Sequence, residues 1–292
     1  MGLLARDANL LPPYDDRIFK LILTSPDGKL VLVDLVSAIL GRSVVDVVVR
    51  NNELPAGDTE EKAERLDVNC VIDDGSQVDL EMQASYMEED GGDHRNLIGK
   101  SVYYLCDLHS SQSSKGKRYE DLSQTYQVTF CAYTVFPNLP DYANSFSMRH
   151  AATNELLSDA IHVIYVELSK LSQVIKKSVD DMTDLEKWAV FFRFANVPRY
   201  REAVNRVIAS KEALQMAGNL LISVSQNERE RAIFRSRRMF QSDLESNIAT
   251  AEARGEARKG YDVARRMLAE GDPVDKIVRC TGVAAADIES LR

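Results

Sequence analysis

Two carboxylates, Asp67 and Glu81, flank the short stretch Asp73-Asp74-Gly75, and both occupy polar positions in alternating segments. Over residues 66–72, apolar Leu66, Val68, Cys70 and Ile72 alternate with Asp67 and Asn69. Over residues 78–83, apolar Val78, Leu80 and Met82 alternate with Asp79, Glu81 and Gln83. Strand side chains change face at every residue, so this spacing predicts one β-hairpin with Asp67 and Glu81 opposite to the apolar row. Two carboxylates on adjacent strands suit a hard divalent cation such as magnesium, which takes oxygen ligands and keeps waters for chemistry on a phosphate. The same alternation also describes an ordinary amphipathic hairpin with one wet face.

The hairpin needs a scaffold, and the flanking sequence provides one. Asp15-Asp16 supplies a helix cap before residues 17–23, where Ile18, Leu21 and Ile22 share a face. After the turn Ser25-Pro26-Asp27-Gly28, a second helix is predicted over 30–40, closed by Gly41. The β-branched run 44–49 reads as a first strand, and 51–64 as a polar loop beside the site. Beyond the hairpin, Leu97, Val102, Leu105 and Leu108 predict a helix over 94–109. Residues 127–136 read as a strand buried on both faces and ended by Pro137 and Pro140, and 161–168 as another. After residue 169 the pattern is helical: a segment with Trp188, Phe191 and Phe192, then 202–216 and 220–240, an Ala-, Glu- and Arg-rich connector at 248–260, and short helices to the end.

Composition narrows the function classes. The 292 residues carry a formal net charge of -9, and 43–136 hold 8 Lys or Arg against 18 Asp or Glu. Binding to nucleic acid draws on basic groups that neutralise phosphate, so this acidic half would need help from a cation or from elsewhere in the chain. The densest basic patch is Arg229, Arg231, Arg235, Arg237 and Arg238, interleaved with Glu228 and Glu230, a pattern equally suited to a salt-bridged helix face. The four cysteines are scattered, with no C-x-x-C pair, and predict buried thiols in a reducing compartment. The four histidines form no cluster, so neither a zinc site nor a local catalytic triad is indicated. No apolar run is long enough for a bilayer, and the first residues are too short and too soon charged for a signal peptide; a cytoplasmic protein is the expectation.

Asp67, a turn, and then Glu81-Met82-Gln83 resemble the PD-(D/E)XK nuclease signature, with Gln83 at the lysine position. Lys62-Ala63-Glu64-Arg65-Leu66-Asp67 followed by Glu81-Met82-Gln83 is similar to the recombination-promoting nuclease and putative transposase family of that superfamily, where glutamine is usual. Asp16-Arg17-Ile18-Phe19-Lys20 resembles the family's D-x-x-F-K. Lys100-Ser101-Val102-Tyr103-Tyr104, with Gln112, Gly116, Tyr119 and Leu122, resembles its central helix and loop. The resemblance spans about 14–136.

It implies an α/β fold with a restriction-endonuclease-like αβββαβ core and a central mixed sheet flanked by helices. An all-helical C-terminal region follows. The expected domains are 1–170 (nuclease-like), 171–245 (helical cap or dimerisation region) and 246–292 (small helical tail). The implied activity is metal-dependent DNA endonuclease chemistry linked to recombination or mobile elements. Asp67 and Glu81 would hold Mg or Mn, with the Met82 carbonyl a further ligand. Gln83 would orient water or a phosphate oxygen, and Lys100 would contact phosphate or order the site. Asp16 and Lys62 are accessory candidates, Arg235, Arg237 and Arg238 the DNA-binding candidates, and a homodimer the expected assembly. The competing expectation is a catalytically silent nuclease fold that binds DNA or protein as a regulatory module.

Overall fold

The computed structural model describes residues 4–6, 8–50, 68–84, 94–116 and 118–291. Helix α1 (Asp16–Thr24) is capped by Asp15, whose Oδ1 accepts from the backbone N–H groups of Arg17 at 3.1 Å and Ile18 at 3.2 Å. Asp16 is therefore a first-turn residue, and Asp15 alone is the cap. At Gly28 a Cβ would lie 2.6 Å from the Ile22 carbonyl oxygen, so the turn into α2 (Lys29–Leu40) requires glycine. Gly41, at φ 65°, closes α2 in the left-handed conformation.

The predicted hairpin is present. After β1 (Val47–Val49), β2 (Val68–Ile72) and β3 (Gln77–Gln83) pair antiparallel, Val68 with Leu80 and Cys70 with Val78. Gly75, at φ 85°, makes the turn. Helix α3 (Arg95–Ser110) then leads to β4 (Thr125–Cys131), which lies parallel to β3. Strands β5 (Ala143–Arg149) and β6 (Leu156–Glu167) complete a six-stranded mixed sheet of order β1-β2-β3-β4-β6-β5.

Two strand expectations are corrected. The strand expected over 127–136 leaves the ladder after Cys131, because the backbone N–H groups of Val135 and Phe136 donate to the buried Glu167 carboxylate at 2.6 and 3.0 Å. The last strand begins earlier than 161 because it pairs with β5, a half-exposed, serine-containing strand with little apolar signal.

Each sheet face has its own helical partner. Val68, Cys70, Val78, Leu80, Val128 and Phe130 form an apolar face that packs on α1, where Phe19 meets Phe130 at a ring separation of 5.7 Å. Phe192 of α4 (Asp184–Phe194) joins both rings, and Trp188 behind it donates its indole N–H to Asp34 of α2 at 2.8 Å. The opposite face is polar and is covered by α3: Tyr165 of β6 donates to Ser101 at 2.8 Å, and His109 lies 2.9 Å from Thr125. The expected wet face is thus covered, with Asn69, Gln77, Asp79 and Glu81 all buried.

The expected helix 202–216 is divided into α5 (Arg201–Ala209) and α6 (Glu212–Gln226). Between them Lys211 turns extended and reaches Asp34 and Asp184 at 2.7 and 2.8 Å. Asn227, at φ -72° and ψ 114°, breaks the expected 220–240 helix. Helix α7 (Glu228–Ala269) then runs unbroken through the expected connector. The chain divides into two compact units, Met1–Asn227 and Glu228–Arg292, so helices α4 to α6 pack with the sheet in the first. The second unit has a small core of Ala264, Ile277, Val283 and Ile288, built with α8 (Val274–Thr281) and α9 (Ala285–Glu289). All four cysteines are free, but only Cys70 and Cys131 are buried; Cys106 and Cys280 are exposed, against expectation. Among the described residues no helix is long and apolar enough to cross a membrane.

Candidate active site

Glu81 sits in the middle of the covered polar face, 1% exposed, on a strand paired on both sides. Taking a carboxylate out of water costs several kcal/mol unless charge and hydrogen bonds offset it. Two donors converge on its Oε2: Lys100 Nζ of α3 at 3.2 Å and Gln83 Nε2 at 3.3 Å. Its Oε1 is buried and, among the described residues, has no hydrogen-bond partner. That oxygen is a hard anionic acceptor held in place by its neighbours, the kind of group a divalent cation takes.

The helix carrying Lys100 is pinned where it matters. Ser101, the next residue, accepts the Tyr165 hydroxyl, and burial pushes the Tyr165 phenol up to about 12, so it remains a donor throughout the neutral range. Tyr165 registers with Thr129, and Thr129 with Glu81, so one row of the sheet holds both Glu81 and the anchor of the helix that delivers Lys100. Lys100 Nζ also lies 5.1 Å from the Tyr104 ring centroid, a second restraint on its position. The Lys100 side chain is 39% exposed, so it lies at the edge of the covered face and not within it.

Of the other candidates, Asp67 and Lys62 lie outside the described residues. Met82 turns its side chain into the apolar face, which leaves only its backbone for any site role. Asp16 opens α1, the helix packed on the face opposite to Glu81. Arg235, Arg237 and Arg238 are exposed on α7, in the second unit. The structure therefore brings Glu81, Gln83 and Lys100 together. It also surrounds Glu81 with residues that sequence reading passed over as sites: Asp79 two residues before it, and Gln127 and Thr129 on β4, all fully buried. Their signal was the polar alternation Thr125, Gln127, Thr129 within a strand otherwise read as buried on both faces. Among the described residues no group of three or more His, Cys, Asp or Glu is placed to hold a metal.

No curated protein and no solved structure matches the chain significantly. A family model described as PD-(D/E)XK nuclease family transposase matches residues 13–251, extending past the sheet through the helices that back it and into α7. With the mixed sheet, the hairpin and the Glu81-Met82-Gln83 strand in agreement, the chain belongs to the PD-(D/E)XK nuclease family transposases.

Proposed function

We propose that this protein is a magnesium- or manganese-dependent DNA endonuclease acting in recombination or the movement of mobile elements. The observation that carries the reading is Glu81: a buried carboxylate with one oxygen fixed by Lys100 and Gln83 and the other left for a ligand. Asp67 and Glu81 would hold the ion, with the Met82 carbonyl as a further ligand; oxygen donors of this kind fit a hard cation. The bound ion would lower the pKa of water and stabilise charge on the phosphate.

The chain's own groups have distinct tasks. Gln83 has a donor and an acceptor, so its amide can hold both Glu81 and a water or phosphate oxygen, though it adds no charge. Lys100 supplies the missing positive charge from α3, beside the same carboxylate, where it can meet a phosphodiester oxygen. Asp16 and Lys62 are assigned accessory roles. Arg235, Arg237 and Arg238, exposed on α7, would contact the DNA backbone and offset the acidic balance of the sheet region. Exposed Met239 and Phe240 on the same helix support a homodimer, and four unpaired cysteines fit a cytoplasmic setting.

The net charge of -9 favours a second reading, a catalytically silent fold kept for binding DNA or protein. A plasmid-cleavage assay over a magnesium and manganese titration separates the two. Metal-dependent nicking that disappears in Asp67→Ala and Glu81→Ala, with circular dichroism unchanged, is expected. Nicking that persists in both variants, or none in the wild type at any metal concentration, removes the nuclease assignment.

A further inference from the structure

The covered polar face extends beyond what phosphodiester cleavage asks of it. Asp79 registers with Gln127 across the β3–β4 ladder, and Glu81 with Thr129. Ladder partners share a face, and adjacent strands lie roughly 4.8 Å apart, with alternate residues roughly 7 Å apart along each. The four side chains thus outline a rectangle about one cation and its ligands in size, on the side covered by α3. All are at most 1% exposed. Both polar atoms of the Gln127 side chain, the Thr129 hydroxyl and Glu81 Oε1 are buried with no hydrogen-bond partner among the described residues. Buried amides and hydroxyls are paired in the great majority of folded proteins, so several unpaired ones on one covered face point to a ligand there.

The donor set defines the ligand. Two carboxylates, an amide carbonyl and a hydroxyl are all hard oxygens, with no imidazole or thiolate among them. A cation fits better than water alone, because two carboxylates and two neutral acceptors share this covered face. We propose that Asp79, Glu81 Oε1, Gln127 Oε1 and Thr129 Oγ1 hold a divalent cation, magnesium or manganese, beneath α3. This inner site is additional to the one assigned to Asp67 and Glu81, with Glu81 the ligand common to both. The Gln127 amino group is left to donate to a water that the cation carries. The inner site draws on the nuclease reading only for the neighbouring role of Glu81; it requires neither Asp67 nor cleavage.

The test counts manganese on the full-length chain by equilibrium dialysis, with free ion followed by its paramagnetic resonance. An Asp67→Ala chain is expected to bind one manganese ion. Adding Asp79→Asn, or separately Gln127→Met, should weaken that binding by about tenfold or more, the size of effect typical for groups at a metal centre. Gln127→Met keeps the side-chain length and stays decisive if Asp79→Asn does not fold. An Asp67→Ala chain that binds no manganese overturns the inner site, as does an affinity that moves by less than about tenfold in every folded variant. Wild-type chain that never cleaves DNA while Asp67→Ala retains its manganese would sink the nuclease reading alone. Cleavage that depends on Asp67 without this retained ion would sink the inner site alone.

Discussion

Lys100 reaches Glu81 from α3, whereas the superfamily signature places its lysine two residues beyond the acidic group on the same strand, where this chain has Gln83. A charge delivered from a helix depends on that helix staying in place, which the Tyr165–Ser101 bond and the His109–Thr125 contact provide. Lys100→Met is expected to lower metal-dependent nicking by roughly 10²-fold, the scale of losing one electrostatic stabiliser of a transition state. Stability should fall as well, by roughly 3 kcal/mol, because the substitution leaves the buried Glu81 carboxylate without its cationic partner. Single-turnover nicking and urea unfolding, run in parallel, check both halves; cleavage within twofold of wild type would remove Lys100 from the mechanism.

His109, near the other end of the same face, gives a pH signature at the residue scale. Burial lowers its pKa below the ordinary 6.5, so the unfolded chain takes up a proton more readily than the folded one. The stability it contributes is fully present above about 6.5 and is lost as pH falls through that value toward the folded pKa. Urea midpoints measured from pH 7.5 down to 5.0 should fall for the wild type and fall less steeply for His109→Gln. Parallel curves for the two proteins would show that another group is responsible.

At the scale of elements, helix ends decide where the backing layer begins and stops. Thr183 and Glu186 form a reciprocal cap at the start of α4, with the Thr183 hydroxyl accepting from the Glu186 N–H at 3.1 Å and the Glu186 carboxylate accepting from the Thr183 N–H at 2.9 Å. This places Trp188, Phe191 and Phe192 against the core. Thr183→Ala should cost about 1 kcal/mol in urea unfolding. Glu186 also accepts from Lys177, and retains that partner in the variant, so a loss well above 2 kcal/mol would mean that the cap does more than satisfy backbone donors.

At the scale of the whole molecule, the division after Asn227 separates the sheet and Glu81 from the arginines of α7. Each unit has its own buried core, so a chain ended after Asn227 is expected to fold and to show the manganese binding proposed for the sheet face. Its affinity for duplex DNA should fall, and its salt dependence should flatten, because the contacts proposed for Arg235, Arg237 and Arg238 are removed. Fluorescence anisotropy across a salt series measures both. A slope equal to that of the full chain would move the DNA-contacting groups into the first unit.

The hairpin, the central helix and the acidic strand Glu81-Met82-Gln83 were legible in the amino-acid order alone, because alternation and glycine placement are local properties that tertiary packing did not override here. Strand β5 was not, since a half-exposed strand with serine at alternate positions has no local advantage until β6 offers it a ladder. The polar face was legible as a pattern, but its environment was not: water and a covering helix satisfy the same alternation. Only the docking of α3 through Ser101 and Tyr165 decided that Asp79, Glu81, Gln127 and Thr129 lie out of water, and that Lys100, 19 residues from Glu81 in sequence, meets it at 3.2 Å. Local order specifies which side chains share a strand face; the free energy of packing distant elements determines what that face meets.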